Sequence, residues 1–449
     1  MENRLAGRNG GRLGLAALVA ILLLGLGLRL GEAWDGRAPV YDASAYAAIG
    51  ANLDRGDGFT VGPSATQPSS NYSPGLPLLL AGLYEATGGV HERTARVLLA
   101  LIGTLSVLFT YLIGRRLSRL VSYAGYGGVN SPTFVVAGLL GAAAVAIYPA
   151  LLEYQGMTMG EPLAATLLAG AVLSMFWARD QGTPWRWLAP GALLGALTLV
   201  RPEYLAVSLL LAIVVFAVAA RANWRRSLAE AAILLAGLVV VLAPWAVRNA
   251  IALDRLVPVS TGGGQVLFAG TYLPSDGDPE RVGEEVVARH PELFGPHATE
   301  RLRLEQILAR LAAARYPDLE TDQALSRMGR EQLWDDISEE PLEYAGFVAT
   351  KIGRIWSHGP REVMREPVWE ALHWALVAFG LLGLAILAWR RRWEALVLAT
   401  VFLAITAISA LLVASPRRVL VMIPLVAALA GCGVIWLWQN ARPDSLSRP

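Results

Sequence analysis

A single cysteine, Cys432, in 449 residues excludes an intrachain disulfide and any multi-cysteine metal site. Set in an apolar run, it reads as a small packing residue. Charge is scarce as well. Only 16% of residues are Asp, Glu, Lys or Arg, against 55% hydrophobic. Runs such as Leu13–Leu28 and Phe134–Ile147 carry no charge at all. That excludes a soluble domain with a large core and points to an all-α polytopic membrane protein. The net charge of +2 leaves no surplus for nucleic acid. His91, His290, His297, His358 and His373 lack metal-ligand spacing and read as surface or interface residues. The run Leu256–Gly264 lacks the Gly-x-x-x-x-Gly-Lys-[Ser/Thr] spacing of a nucleotide loop. It reads as a flexible loop, with close backbone approach to a sugar or phosphate as the other reading. There is no internal repeat and no low-complexity tract.

What charge there is has a pattern. Basic residues gather at Arg4/Arg8/Arg12, Arg115/Arg116/Arg119, Arg179/Arg186, Arg221/Arg225/Arg226 and Arg390/Arg391/Arg392. Cytoplasmic loops are enriched in Lys and Arg, so these five groups mark one membrane face. Apolar spans are expected at roughly 13–30, 94–114, 133–150, 162–178, 187–201, 203–220, 227–246, 367–389, 394–414 and 419–438, most of them near the ~20 residues a crossing needs. The run Gly75–Tyr84 has an apolar core of only about 10 residues and suits an interfacial or re-entrant piece. If it crossed, four of the basic groups would face away from the first. About ten spans with both termini cytoplasmic therefore fit the charges. The N-terminus resembles a signal sequence, with Gly31-Glu32-Ala33 as a passable cleavage site. An uncleaved anchor is favoured, with Arg29 snorkelling to the outer interface.

Two segments then lie outside, 31–93 and about 247–366. They divide the chain into a membrane module over 1–246, a mostly helical outer segment over 247–366, and C-terminal membrane helices over 367–449. In the first segment, Ile49 and Leu53 are four apart, which predicts a short surface helix from Asp42 to the Gly56-Asp57-Gly58 turn. A loop rich in Pro, Ser and Gly follows over 63–75. In the second, helices are expected at 280–290, 299–315, 320–338 and 342–357, with breaks at Pro291, Pro296, Pro317 and Pro341.

On this topology Arg201, Arg248, Arg417 and Arg418 fall on the wrong side, together with Asp42, Glu161 and Glu203. Asp42 opens the surface helix, with Tyr46 one turn on along the same face. It reads either as an ordinary N-cap or as a rigidly held, partly desolvated general base. Glu161 precedes Pro162 at a helix start, a favourable place for an acid and a second carboxylate on that face. Arg201-Pro202-Glu203 is a tight hairpin and either a local ion pair or a site, since ionisable groups at membrane depth cost ~2.5–3.5 kcal/mol. Ser415-Pro416-Arg417-Arg418 places two guanidinium groups outside in a short loop. They either snorkel to headgroups or grip phosphate oxygens.

Taken in order, these segments resemble the polyprenyl-phosphate-dependent glycosyltransferases of the C-type membrane fold, in the branch of protein O-mannosyltransferases and lipid A aminoarabinose transferases. The matching residues are Asp42-Ala-Ser-Ala-Tyr46, Tyr72-Ser-Pro-Gly-Leu-Pro, Ala95-Arg96, Gly114-Arg115-Arg116-Leu117 and Gly160-Glu161-Pro162-Leu163. Further along come Arg201-Pro202-Glu203, Pro244-Trp245 with Arg248-Asn249, Pro258-Val-Ser-Thr-Gly-Gly263, and Pro416-Arg417-Arg418 with Pro424. The resemblance implies that Asp42 acts at the acceptor hydroxyl, that Glu161 is a second acid, and that outer-face arginines hold the lipid phosphate. Tyr46, Tyr72, Glu203 and Arg248 are further candidate substrate-binding residues beside Arg201, Arg417 and Arg418. The implied partners are a polyprenyl-phosphate sugar and a glycan, lipid or protein acceptor in the cell membrane. No cofactor is required, and a divalent metal is compatible. Two departures matter: Ser73-Pro74-Gly75 stands where aminoarabinose transferases carry a lysine before Pro-Pro, and Arg417-Arg418 where many relatives read Arg-Tyr-Arg. The sugar and acceptor are therefore not transferable. A transporter or flippase of lipid-linked sugars is the alternative, and a membrane scaffold a third.

Overall fold

The computed structural model describes residues 2–36, 42–61, 69–122, 132–254, 256–275, 278, 281–295, 297–357 and 359–441. His358, Pro296 and residues 63–68 of the expected first-segment loop lie outside the described residues. No strand forms among those described. The chain opens with α1 (Glu2–Trp34), followed by the short helices α2 (Asp42–Asp54) and α3 (Gly75–Thr87). Then come α4 (Glu92–Val121), α5 (Pro132–Ile147), α6 (Pro149–Gly156), α7 (Glu161–Gln181), α8 (Leu188–Val200) and α9 (Tyr204–Leu253). The outer segment holds α10 (Gly263–Thr271), α11 (Val282–Arg289), α12 (Ala298–Arg301), α13 (Leu304–Arg315), α14 (Thr321–Glu339) and α15 (Pro341–Ser357). The chain ends with α16 (Pro367–Trp389), α17 (Trp393–Leu411) and α18 (Arg417–Asn440).

Among the described residues, seven helices are long and apolar enough to cross a membrane, or eight if the bent pair α5–α6 is one span. The expected ten is a different count for two physical reasons. The 187–201 segment is a 13-residue helix, α8, about 20 Å long. The 203–220 and 227–246 segments belong to one 50-residue element, α9. A straight helix of that length would extend about 75 Å, more than twice the apolar thickness of a bilayer. It is kinked at Asn223, whose backbone is non-helical at φ −157° and ψ 90°. Arg221, Arg225 and Arg226 flank the kink.

The basic helix ends meet one another. Arg116 pairs with Asp180 and, at 2.9 Å, with Glu394. Arg179 and Arg226 both reach Glu230, at 3.3 and 3.0 Å. Arg390 donates to the Ser122 carbonyl at 3.0 Å. The ends of α4, α7 and α16 and the kink of α9 thus share one end of the bundle. α3 lies at the other. Its first residue, Gly75, fits against the backbone of Leu199 and Val200, where a Cβ would come within 2.8 Å of the Val200 nitrogen. α18 is the centre of the bundle and is buried along nearly its whole length. Cys432 is one of its packing residues, with Sγ 3.4 Å from the Gly114 carbonyl.

Three expectations are corrected. Arg29 does not snorkel outward: it is 1% exposed and turned into the bundle. The cause is the 45° bend between α5 and α6. Pro149 has no N–H to donate, so the bend leaves carbonyls at the end of α5 without helical partners. Arg29 donates to two of them, Val145 at 3.2 Å and Ala146 at 3.3 Å. His373 is buried rather than at a surface, bonded to the Tyr148 hydroxyl at 2.9 Å and the Trp356 carbonyl at 3.0 Å.

The third is the glycine run. Gly262 takes φ +93° and caps α10, which begins at Gly263. Gly264 then lies directly on α14, where a Cβ would sit 1.9 Å from the Asp322 carbonyl oxygen. The segment is a helix–helix contact, not a flexible loop. Gly264→Val is expected to lose about 3 kcal/mol by overpacking. Gly263→Ala should be neutral, since nothing lies within 4 Å of its Cβ position. Thermal melts of the two purified variants check this, and equal melts would contradict it. α11, α14 and α15 lie within about two residues of the expected bounds. The expected 299–315 helix is broken in two, α12 and α13, where Leu302 and Arg303 are extended, and α10 is an addition. Together the outer helices enclose an apolar core that includes Phe268, Val286, Leu308 and Leu325. Lys351, the chain's one lysine, donates to the Gly270 carbonyl at 2.6 Å and fastens α15 to α10. Burial pulls its ammonium down to about 7.

Candidate active site

Four separate elements bring their ends together opposite the basic clusters. They are the first residues of α2, α7 and α18 and the turn between α8 and α9. Asp42 and Glu161 occupy first turns, where the helix dipole favours an acid. Arg417 opens α18, where the same dipole disfavours a cation. The acids compensate it. Arg417 Nε donates to Glu161 Oε1 at 2.6 Å, and Nη1 donates to Asp42 Oδ2 at 3.0 Å. Arg201 pairs with the same Glu161 oxygen and faces Glu203 at 3.9 Å. Glu203 in turn faces Arg418 at 3.7 Å. Three carboxylates and three guanidinium groups alternate in one network.

Exposure divides the two candidate acids. The Asp42 side chain is 41% exposed, whereas that of Glu161 is 0% exposed beneath two arginines. Asp42 can meet a substrate. Glu161 meets only the cations it holds, and its second oxygen is buried without a hydrogen-bond partner. Asp42 and Arg417 line a cavity of about 520 Å³ with Tyr154, Met157, Gln265 and Arg361. Its floor comes from the membrane helices and its roof from α10. The Tyr154 ring has two guanidinium groups over it, with Arg417 5.6 Å and Arg361 5.9 Å from its centroid. Arg361 Nε donates to Glu153 at 2.5 Å, and that hydrogen bond raises the Arg361 guanidinium above its ordinary value.

The other expected residues sort by position. Tyr46 sits within the field of Asp42, Glu161, Arg201 and Arg417, and burial pushes its phenol up to about 12. It therefore stays protonated and able to donate. Tyr72 meets its ring edge-on at 5.8 Å. Arg418 does not line the cavity and donates to the carbonyl of Val413, which does. Arg248 stands apart altogether. It donates to the Ser69 carbonyl at 3.0 Å and stacks over Trp245 at 4.9 Å and Phe59 at 5.5 Å. Trp245 and Asn249 bond the Val259 carbonyl at 2.6 and 3.1 Å. This motif ties the two outer segments together.

Tyr154, Arg361 and Gln265 are additions that sequence reasoning misses. Arg361 carries a signal: it follows Gly359-Pro360 close to a span, on the same side as the other stray arginines. Glu153 carries one too, as an acid just past the Pro149 break of an apolar run. Gln265 has none. Among the described residues no group of three or more His, Cys, Asp or Glu is placed to hold a metal ion.

Neither a protein-family model nor a curated protein matches the sequence. Solved structures do. The archaeal oligosaccharyltransferase AglB from Archaeoglobus fulgidus, in complex with an inhibitory peptide and a dolichol-phosphate, superposes with a TM-score of 0.57 at 17% identity, covering 95% of this chain and 50% of that one. The apo form of the A. fulgidus oligosaccharyltransferase gives 0.57 at 16% identity, covering 95% and 51%. The fold is the C-type membrane glycosyltransferase fold. The chain spans about half the length of these solved structures. ArnT from Cupriavidus metallidurans bound to undecaprenyl phosphate is similar at 15% identity over 96% of this chain and 78% of that one. Its TM-score of 0.37 is too loose to carry weight. Within the C-type fold seen here, the helix ends that meet at Asp42 and Arg417 frame a cavity mouth between membrane helices and outer segment.

Proposed function

We propose that the chain is a glycosyltransferase that moves a sugar from a polyprenyl-phosphate donor to an acceptor hydroxyl. The reaction takes place at the extracytoplasmic face of the cell membrane, with both termini cytoplasmic. The observation that carries the reading is the contact of Asp42 with Arg417, 375 residues apart in sequence, on the wall of one cavity. The sidedness rests on the basic helix ends meeting at the opposite end of the bundle.

A sugar linked to a lipid phosphate already carries a leaving group. The enzyme has to supply a base for the acceptor and positive charge for the departing phosphate. Asp42 takes the acceptor hydroxyl proton as that oxygen bonds to the anomeric carbon. The bond from that carbon to the phosphate oxygen breaks, its electron pair stays on the phosphate, and the configuration inverts. Arg417 and Arg361, which share the cavity wall with Tyr154, receive the added charge. Glu161 and Arg201 hold Arg417 in place from below. Arg418 and Glu203 brace the two hairpins. No step is routed through a metal.

Resting Asp42 is engaged by Arg417, whose Nη1 donates to Oδ2 at 3.0 Å, so that oxygen is not turned toward an acceptor. A donor phosphate that takes the guanidinium releases Asp42 toward the acceptor, so that donor binding arms the base. Transporters place their ionisable groups near the bilayer midplane on broken helices. Here the network lies at the helix ends, which favours chemistry over transport. The test is to supply purified protein with polyprenyl-phosphate sugars and measure release of polyprenyl phosphate. Acceptor-dependent release is expected. Passage of labelled donor across a vesicle with no release would establish the transporter instead.

A further inference from the structure

Away from the candidate active site, a groove of about 860 Å³ runs along the bundle between α4, α7 and α8. One wall is a stripe at helical spacing on α4, Leu105, Phe109 and Leu112; the other is Leu167, Leu173 and Trp177 on α7. Gly170 opens the floor between them. A Cβ there would already be 3.1 Å from the Phe109 ring and 3.8 Å from Leu193. From Leu163 to Asp180 the α7 wall rises about 25 Å, most of the ~30 Å apolar thickness of a bilayer.

One end of this groove is not apolar. Arg115, Arg116 and Arg119 line it, with Asp180 as the acid in the lining. Asp180 and Glu394 both serve Arg116. Arg186 stands beside this end, its guanidinium 4.4 Å over the Trp177 ring and 5.2 Å over Trp185. Trp177 is 47% exposed and Trp185 64%. Indole rings with cations at a helix end are the signature of the headgroup layer. An apolar channel closed by net positive charge at that depth complements a single class of molecule: a lipid with a negatively charged phosphate head. The catalytic network lies at the opposite end of the same helices.

We propose that the groove binds one anionic glycerophospholipid, its phosphate at Arg115 and Arg119 and an acyl chain laid over Gly170. The site stands independently of the glycosyltransferase reading, because binding is read without turnover. Guanidinium forks match phosphate oxygens in pairs, which an ammonium does not. The lipid fills the gap between α4 and α7 and seals the bundle on that side.

The experiment uses the full chain, purified in detergent and incubated with vesicles of equal phosphatidylglycerol and phosphatidylcholine. Native mass spectrometry then counts retained lipids. One retained phosphatidylglycerol is expected, preferred over phosphatidylcholine by about tenfold. Ser174→Trp, which fills the groove from its half-buried wall, is expected to abolish retention. Arg115→Gln/Arg119→Gln is expected to abolish the preference, and Arg115→Lys/Arg119→Lys to weaken it. Thermal melts establish that each variant is folded, and the arginine pair carries the test if Ser174→Trp is not. Retention that never saturates, or that neither variant alters, would show annular lipid only and overturn the proposal. So would one-for-one displacement of phosphatidylglycerol by polyprenyl phosphate that survives Arg115→Gln/Arg119→Gln. That result would assign the groove to the donor's tail.

Discussion

Asp42→Asn is expected to lower release of polyprenyl phosphate by about 10²–10⁴-fold, the range that a positioned general base contributes. The amide keeps the size of the carboxylate and an oxygen to accept from Arg417, so the fold should stand. Arg417 also retains its 2.6 Å hydrogen bond to Glu161. Donor binding should then be unchanged or tighter, because a phosphate no longer competes with the Asp42 charge for the guanidinium. The expected pattern is a collapse of kcat with KM for the donor flat or falling. A structural N-cap alone predicts something else: Asn caps a helix about as well as Asp, so nothing should change. Near-normal turnover by Asp42→Asn would remove Asp42 from the mechanism, whatever its distance from Arg417. A melt lowered in proportion to the lost activity would assign the loss to stability instead.

What is readable in the sequence and what is not follow from the range of the forces involved. The placement of arginines between apolar runs depends on which membrane face each meets, and sequence carries that information directly. Sidedness alone therefore gathers Asp42, Glu161, Arg201 and Arg417 at one end of the bundle. It also places the Gly75 helix as a non-crossing piece. Contacts created by a bend are out of reach. Arg29 turns inward because Pro149 frees carbonyls at the end of α5, and neither residue shows that alone. The run at Gly262–Gly264 reads as a loop because glycine is a poor helix former locally. Tertiary packing needs its missing side chain, with Asp322 occupying that space. Arg361 carries only a faint cue, because long loops escape the charge rule, and its neighbour in space, Glu153, lies 208 residues away on α6. Exposure is equally illegible. Asp42 and Glu161 look alike in sequence, and only burial separates a group that meets the cavity from one that props a guanidinium.

Arg417→Ala is expected to be the more damaging change, because it strikes two functions at once. It leaves Glu161 with Arg201 as its cation and frees Asp42 from its ion pair. Breaking a fully buried charge pair costs roughly 3–5 kcal/mol, but the loss here should be smaller, because Glu161 keeps Arg201 and Asp42 is 41% exposed. On the proposed mechanism it also removes a phosphate ligand, and the loss of a hydrogen-bonded charge partner weakens binding by about 2–5 kcal/mol. Donor affinity should fall by about thirtyfold or more on that basis. Two companions divide the effects. Arg417→Lys keeps the charge and should recover much of the melt. It cannot span Glu161 and Asp42 with two N–H groups at 2.6 and 3.0 Å, so donor affinity should stay depressed. Arg418→Ala should do the reverse. Its guanidinium serves the Val413 carbonyl and Glu203, so stability should drop while donor affinity of the folded fraction holds. Isothermal titration with polyprenyl phosphate, beside a thermal melt of each variant, reads both quantities. Unchanged affinity in Arg417→Ala would move the phosphate off this guanidinium, and with it the idea that donor binding is what releases Asp42.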